Sequence, residues 1–281
     1  MYEDMVLWDF FADDSPIPMP TEIAQELAAW LGRARYYADS DTWPAGADQI
    51  TISVGEAEAT ENADLAWVHH CLRAGIATAA FTLGTSVELE TNSAAGRATV
   101  HFVGDEGGRK RFWRKMIHFG RDDLASLAHY SPHAYPSLLF AEGVLGCCDD
   151  LAGGYTASRG RVQKALAALD DWGYWAFTCP PPAIGPNEAS PPDTQARPGD
   201  LLIQNRFGGF GLTTAPEKPD VRNDRICREA REIELGSRTL FCEWHVKLEP
   251  HQNRIHFHGP VPESDDKVVI GKIADHLPLP D

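Results

Sequence analysis

The sequence predicts an α+β protein: an N-terminal mixed α/β region, a helical middle, and a C-terminal helix followed by a three-stranded antiparallel meander. Three observations predict it. The last forty or so residues hold three short runs of strand character separated by turn-forming stretches. The middle of the chain holds two runs with apolar residues at helical spacing. Residues 179–198, between these two regions, contain seven prolines, a density that excludes regular structure.

Taken in order, residues 6–11 read as a buried strand around Asp9, after which Pro16, Pro18 and Pro20 break the chain. Thr21 suits a helix N-cap, with Glu22 in the first turn and Ile23, Leu27, Trp30 and Leu31 at helical spacing. Residues 50–54 read as a strand and 65–74 as a short helix closed near Gly75. Residues 77–90 and 97–103 read as strands, joined by a turn over 92–96. Residues 138–151 and 162–177 read as helices. In the second, Val162, Leu166, Leu169, Trp172 and Phe177 make an apolar stripe suited to a core. Ser131-Pro132 and Tyr135-Pro136 mark a turn before the first of them. The proline-rich stretch then sets the expected boundaries: a domain over 1–178, a linker or loop over 179–199, and a C-terminal domain over 200–281. Residues 221–235 read as the helix that opens this last domain, with Gly236 as its C-cap.

The C-terminal strands concentrate the chemistry. They run Thr-Leu-Phe-Cys-Glu-Trp-His-Val-Lys-Leu from Thr239, Arg-Ile-His-Phe-His from Arg254, and Lys-Val-Val-Ile-Gly-Lys-Ile from Lys267. Side chains two apart share a strand face. Leu240, Cys242, Trp244 and Val246 therefore belong to one face, with Ile255 and Phe257 beside them. Glu243, His245, Lys247, Arg254, His256 and His258 belong to the other. One surface is thus expected to carry six side chains able to move protons or hold anions.

Composition narrows the classes. The net charge is −16, and residues 200–281, with 14 acids and 11 bases, are the least acidic third. Such a chain repels nucleic acid at long range, so any contact must be local. The acidity also suits a basic protein partner. One dense basic run, Arg109, Lys110, Arg111, Phe112, Trp113, Arg114 and Lys115, interleaves cations with aromatics. It reads either as a phosphate grip through Arg109, Lys110 and Arg111 or as a helix with one buried side. The six cysteines include no C-x-x-C pair and fit buried thiols in a reducing compartment. No eighteen-residue apolar run and no signal-peptide pattern occur, so a cytoplasmic protein without membrane contact is expected.

Three readings fit the polar face. In the first it binds and cleaves RNA without a metal. His256, His245, Glu243 and His258 supply acid and base, and Arg254, Lys247 and Lys272 hold phosphate. In the second, His245, His256 and His258 bind zinc. In the third the face is simply solvated.

The segment 240–276 resembles the C-terminal meander of RelE/HigB-type toxins. The residues that carry the likeness are Cys242-Glu243-Trp244-His245-Val246-Lys247, Arg254-Ile255-His256-Phe257, and Val268-Val269-Ile270-Gly271-Lys272-Ile273 with His276. Glu-Trp-His-x-Lys, Arg-Ile-His-Phe-His and His-Leu-Pro also resemble tails of uncharacterised bacterial proteins. Together with the preceding helix, residues 221–235, where that fold also has one, the resemblance covers about sixty residues. It implies a RelE-like fold, RNA as a partner and a toxin-like ribonuclease or antiphage effector without a cofactor; only the separate zinc reading of the histidines calls for a metal ion. The alternative is a non-catalytic sensor or adaptor whose acidic N-terminal domain binds a basic protein.

Overall fold

A computed structural model describes residues 20–31, 33, 49–82, 84–188 and 196–280. The strand expected over 6–11 lies outside them. Elements of both kinds are mixed along the chain, so the protein is α+β. Helix α1 (Thr21–Leu31) forms where the apolar spacing placed it. The chain divides into two units, Met1–Phe112 and Trp113–Asp281. That division falls within helix α3 (Glu106–Phe119), not at the proline-rich segment.

The first unit builds a five-stranded sheet in the order β2-β1-β4-β5-β3. Its strands are β1 (Thr51–Val54), β2 (Thr60–Glu61), β3 (Ala80–Phe81), β4 (Val87–Ser93) and β5 (Gly96–Val103). Residues 77–90, expected as one strand, divide into β3 and β4. Helix α2 (Ala63–Arg73) starts at Asn62, whose side chain accepts a hydrogen bond from the Leu65 amide at 3.0 Å. It packs Val68 and Leu72 on Val100 of β5. Its buried His69 lies 2.9 Å from both Thr91 Oγ1 and Ser93 Oγ on β4, pinning helix to sheet.

In the second unit, helix α4 (Leu124–Ala134) contains Pro132, so the expected turn at Ser131-Pro132 is helical and the chain turns only at Tyr135. Residues 138–151 are not a helix. Leu138–Phe140 form strand β6, Gly143 takes a left-handed conformation (φ 71°), and Gly146–Asp150 make a 3-10 turn. Helix α5 (Gly154–Thr178) contains the predicted stripe and is the spine of the core.

The proline-rich segment begins inside this unit. Arg206 of helix α6 (Asp200–Gly209) is fully buried. It donates to the carbonyls of Ala176, Cys179, Pro180 and Ala183 at 2.8–3.2 Å, and its guanidinium lies over the Trp175 ring. A cation at a helix C-terminus faces orphan carbonyls, which compensate its burial. The start of the segment is therefore strapped onto α5.

The main sheet has the order β6-β12-β11-β10-β7. Its strands beyond β6 are β7 (Thr213–Pro216), β10 (Trp244–Glu249), β11 (Gln252–His258) and β12 (Val268–Ala274); from β7 to β12 each strand is antiparallel to its neighbour, and β6 is parallel to β12. Trp244, Val246, Ile255, Phe257, Val268 and Ile270 pack with Val162, Leu166 and Leu169 of α5. Burying each such side chain stabilises the fold by roughly 1.5–3 kcal/mol.

Residues 221–235 are not one helix. They form two short helices, α7 (Pro219–Asn223) and α8 (Arg225–Glu229), then strand β8 (Glu232–Leu235). Strand β8 pairs with β9 (Arg238–Phe241) around Gly236, whose φ of 60° serves a hairpin turn and not a helix cap. The first predicted meander strand is therefore split. Leu240 and Cys242 do not join Trp244; they pack with Ile233 and Val269 in a separate cluster. Gly271 makes room for this: it has no partner between the Phe257–Ile270 and His256–Lys272 pairs, and a Cβ there would stand 2.2 Å from the Cys242 sulfur.

The basic run lies on α3, with Phe112 and Met116 buried. Arg109 pairs with Glu106, and Arg114 with Asp170 and Asp171. No disulfide joins the cysteines among the described residues.

Two outcomes are expected. Asn253, buried with φ 54°, exchanges hydrogen bonds with both backbone groups of Ala152 (2.7 and 3.2 Å), tying the β10–β11 turn to the start of α5. Asn253→Ala should cost about 2–4 kcal/mol in urea unfolding, from the stranded backbone groups and the left-handed residue. In the first unit, burial, then the charges of Arg73 and His70, push His69 below the ordinary histidine value near 6.5. Its neutral form belongs to the fold, so its contribution is complete above about pH 6.5 and declines as pH falls toward the lowered value. Exchange-rate-corrected amide protection in β4 and β5 should fall between pH 7 and 5, and His69→Gln should flatten that dependence.

Candidate functional site

The polar face of the main sheet is organised by residues that register brings together. His245 on β10 stands directly across from His256 on β11 and from Ala215 on β7, and His256 from Lys272 on β12. Glu217, two residues after Ala215, shares this face. Its amide donates to the Glu243 carbonyl at 2.7 Å, which continues the β7–β10 ladder by one bond.

The Glu217 carboxylate is the hub. Its Oε1 lies 3.0 Å from Nδ1 of His245, 3.0 Å from Nδ1 of His256 and 3.2 Å from Nε of Arg231. Glu217, Arg231 and His256 are buried, and His245 is partly buried. Arg231 is held by two carbonyls, donating from Nη1 to Cys227 at 2.9 Å and to Pro278 at 3.0 Å.

Electrostatics follow from this packing. Burial opposes ionisation of Glu217, but the hydrogen bonds and charges of His245 and His256 outweigh it and hold the carboxyl far below its ordinary range. Burial pushes His256 down to about 4, against the pull of Glu217. Near neutrality the centre therefore holds a carboxylate balanced by Arg231, beside a neutral His256.

A cleft of about 450 Å³ opens onto this centre. Lys218, Lys247, Arg231 and Arg254 line it, against the acids Glu217 and Asp220, and Leu277, Leu279 and Pro280 of the C-terminal tail form part of its wall. Arg254 Nη1 lies 3.1 Å from His276 Nδ1, so the tail is also tied at the rim.

The structure thus gathers His245, His256, Lys247 and Arg254 of the predicted face at one cleft. Other predicted residues are elsewhere. His258 donates Nδ1 to the neighbouring Gly259 carbonyl at 2.7 Å and is not part of the centre, so the three-histidine set does not converge. Glu243 is 3.4 Å from Arg222 and lines no part of the cleft. Lys272 opposes His256 across the strands but is not a lining residue, and neither are Arg109, Lys110 and Arg111.

Glu217 and Arg231 were missed. Arg231 was visible as the last of the arginines at 222, 225, 228 and 231. Arg225 and Arg228 pair with Glu229 and Glu232 as helical spacing suggests, while Arg231 turns inward. Glu217 carried no signal beyond following a short Thr-Thr-Ala-Pro strand. Among the described residues, Glu217, His245 and His256 are the one group whose ligand atoms all lie within 4.8 Å of one another.

Removing one charge from the buried pair should be costly. Arg231→Met should destabilise the second unit by about 3–5 kcal/mol, because it strands the Glu217 carboxylate. Adding Glu217→Leu should recover most of that loss in chemical denaturation.

No protein-family model, curated protein or solved structure matches this chain.

Proposed function

We propose that the second unit is a nucleic-acid-directed module whose cleft takes the phosphodiester backbone of single-stranded RNA, with strand scission at the Glu217–His245–His256 centre. One observation carries this reading. In a chain of net charge −16, Lys218, Lys247 and Arg254 line one cleft around the hydrogen-bonded Glu217, His245 and His256. Arg231 belongs to that cleft but is committed to Glu217 and two carbonyls. No Phe, Tyr or Trp lines the cleft, which favours phosphate contacts over base stacking.

The likeness to RelE/HigB-type toxins belongs to the same proposal. It is supported by the consecutive antiparallel strands β10, β11 and β12. The flanking strands β6 and β7 and the two short helices before β8 are departures from it. A toxin-like or antiphage effector is the setting in which such an activity would serve.

Binding of a fluorescent single-stranded RNA to the full chain, followed against salt, tests the reading. Each lost phosphate contact lowers the logarithmic salt slope by roughly 0.7 on a single strand. The Lys247→Ala, Arg254→Ala double variant, shown to be folded, should bind more weakly and lose about 1.4 from the slope. An unchanged slope, or no binding by the parent at low salt, removes the RNA reading. The acidic surface would then favour the adaptor reading, with a basic protein as partner.

A further inference from the structure

We propose that Glu217, His245 and His256 bind one divalent transition-metal ion of the zinc class. The inference rests on the cleft being the working site, as the RNA reading does, but not on RNA itself. Glu217 Oε1 stands 3.0 Å from Nδ1 of each imidazole, and the three atoms lie within 4.8 Å of one another. Ligands about 2.0–2.1 Å from a single zinc ion are themselves roughly 3–3.5 Å apart. The two Oε1–Nδ1 spacings match that range, and the third spacing is within 4.8 Å, so modest side-chain adjustment brings all three atoms to one ion.

The hydrogen-bond accounting points the same way. A carboxylate oxygen offers two lone-pair positions. If both imidazoles carry a proton on Nδ1, those two N–H groups fill both positions. Arg231 Nε, fully buried and 3.2 Å from the same oxygen, is indeed left without a hydrogen bond. A metal ion replaces the two protons. Each Nδ1 then turns a lone pair inward, Oε1 gives one lone pair to the ion, and its second becomes available to Arg231. One ion thus serves both Nδ1 atoms and Oε1 and leaves a lone pair for Arg231 Nε, while each imidazole proton moves to Nε2, which in His256 is buried without a hydrogen-bond partner.

Ligand chemistry selects the class of ion. Two imidazoles with one carboxylate suit zinc and its transition-metal neighbours, whereas magnesium and calcium take oxygen ligands. Three protein ligands leave a fourth position for water or substrate, as catalytic sites do. His245 and His256 both line the cleft, as do Lys247 and Arg254, so an anionic ligand drawn in by those cations arrives beside the ion.

The test uses the full chain stripped with a chelator and titrated with Co(II), then with Zn(II) in competition, without RNA. The expected result is one equivalent of Co(II) with visible absorption bands of a four- or five-coordinate ion, displaced by Zn(II). His245→Ala should lose roughly 100-fold or more in affinity, while His258→Ala, outside the centre, should bind as the parent does. His245 is only partly buried and is the substitution the fold should best tolerate; far-ultraviolet circular dichroism checks this, and the parent's cobalt spectrum stands without any variant. The proposal is overturned if the folded parent shows no saturable one-equivalent binding, or if folded His245→Ala binds as tightly as the parent. Because RNA is absent, failure here leaves the salt-slope result untouched, and failure of RNA binding leaves the metal titration untouched.

Discussion

The second unit depends on keeping one carboxylate charged inside a sheet face. An isolated buried carboxylate costs several kcal/mol, and only close partners make it tolerable. Glu217 has three such partners, and each comes from a different part of the chain: β10, β11, and the turn between α8 and β8. The need to surround Glu217 thus fixes where the short helices and the β8–β9 hairpin sit against the main sheet. The C-terminal tail is drawn in as well, through the Pro278 carbonyl on Arg231 and His276 on Arg254.

The opposite face of the same sheet is ordinary hydrophobic packing, and it makes the polar face possible. Helix α5 buries Val162, Leu166 and Leu169 against the apolar faces of β10 and β11, which holds the strands in a fixed register. A one-residue slip would exchange the two faces and send His245 and His256 into the core. Arg206 fastens the end of α5, and Asn253 fastens its start to the β10–β11 turn. Arg206 bonds only backbone carbonyls at and beyond the end of α5, and Asn253 bonds both backbone groups of Ala152 as well as the Ser158 and Glu249 side chains.

Much of this was legible locally. Alternation from Trp244 to Leu248 and from Arg254 to His258 marked two strands, and it placed His245, Lys247, Arg254 and His256 on one surface. The apolar stripe from Val162 marked α5. Errors arose where local pattern was ambiguous. Glu-Ile-Glu-Leu-Gly-Ser-Arg-Thr-Leu-Phe from Glu232 alternates about a Gly-Ser pair, the pattern of a hairpin, whereas Gly236 alone also suits a helix C-cap. The run 138–151 lacked such a signal: β6 is a strand only because β12, over a hundred residues later, offers an edge to pair with. Composition alone marks the proline-rich segment as a boundary, because it shows what cannot be helical and not what packs beneath it.

The sequence by itself determined the α+β character, the two central strands, the core stripe of α5 and the side of the sheet that carries the histidines. These are consequences of periodicity, which is a property of neighbours along the chain. Tertiary structure alone decided that Glu217 and Arg231 complete the site, that His258 does not, and that the chain divides within α3. Glu217 reaches His256 across 39 residues of sequence, through pairing of β7 with β10 and of β10 with β11. No local pattern encodes that distance; the cost of an unpaired buried charge does, and it acts only once the chain has folded around it.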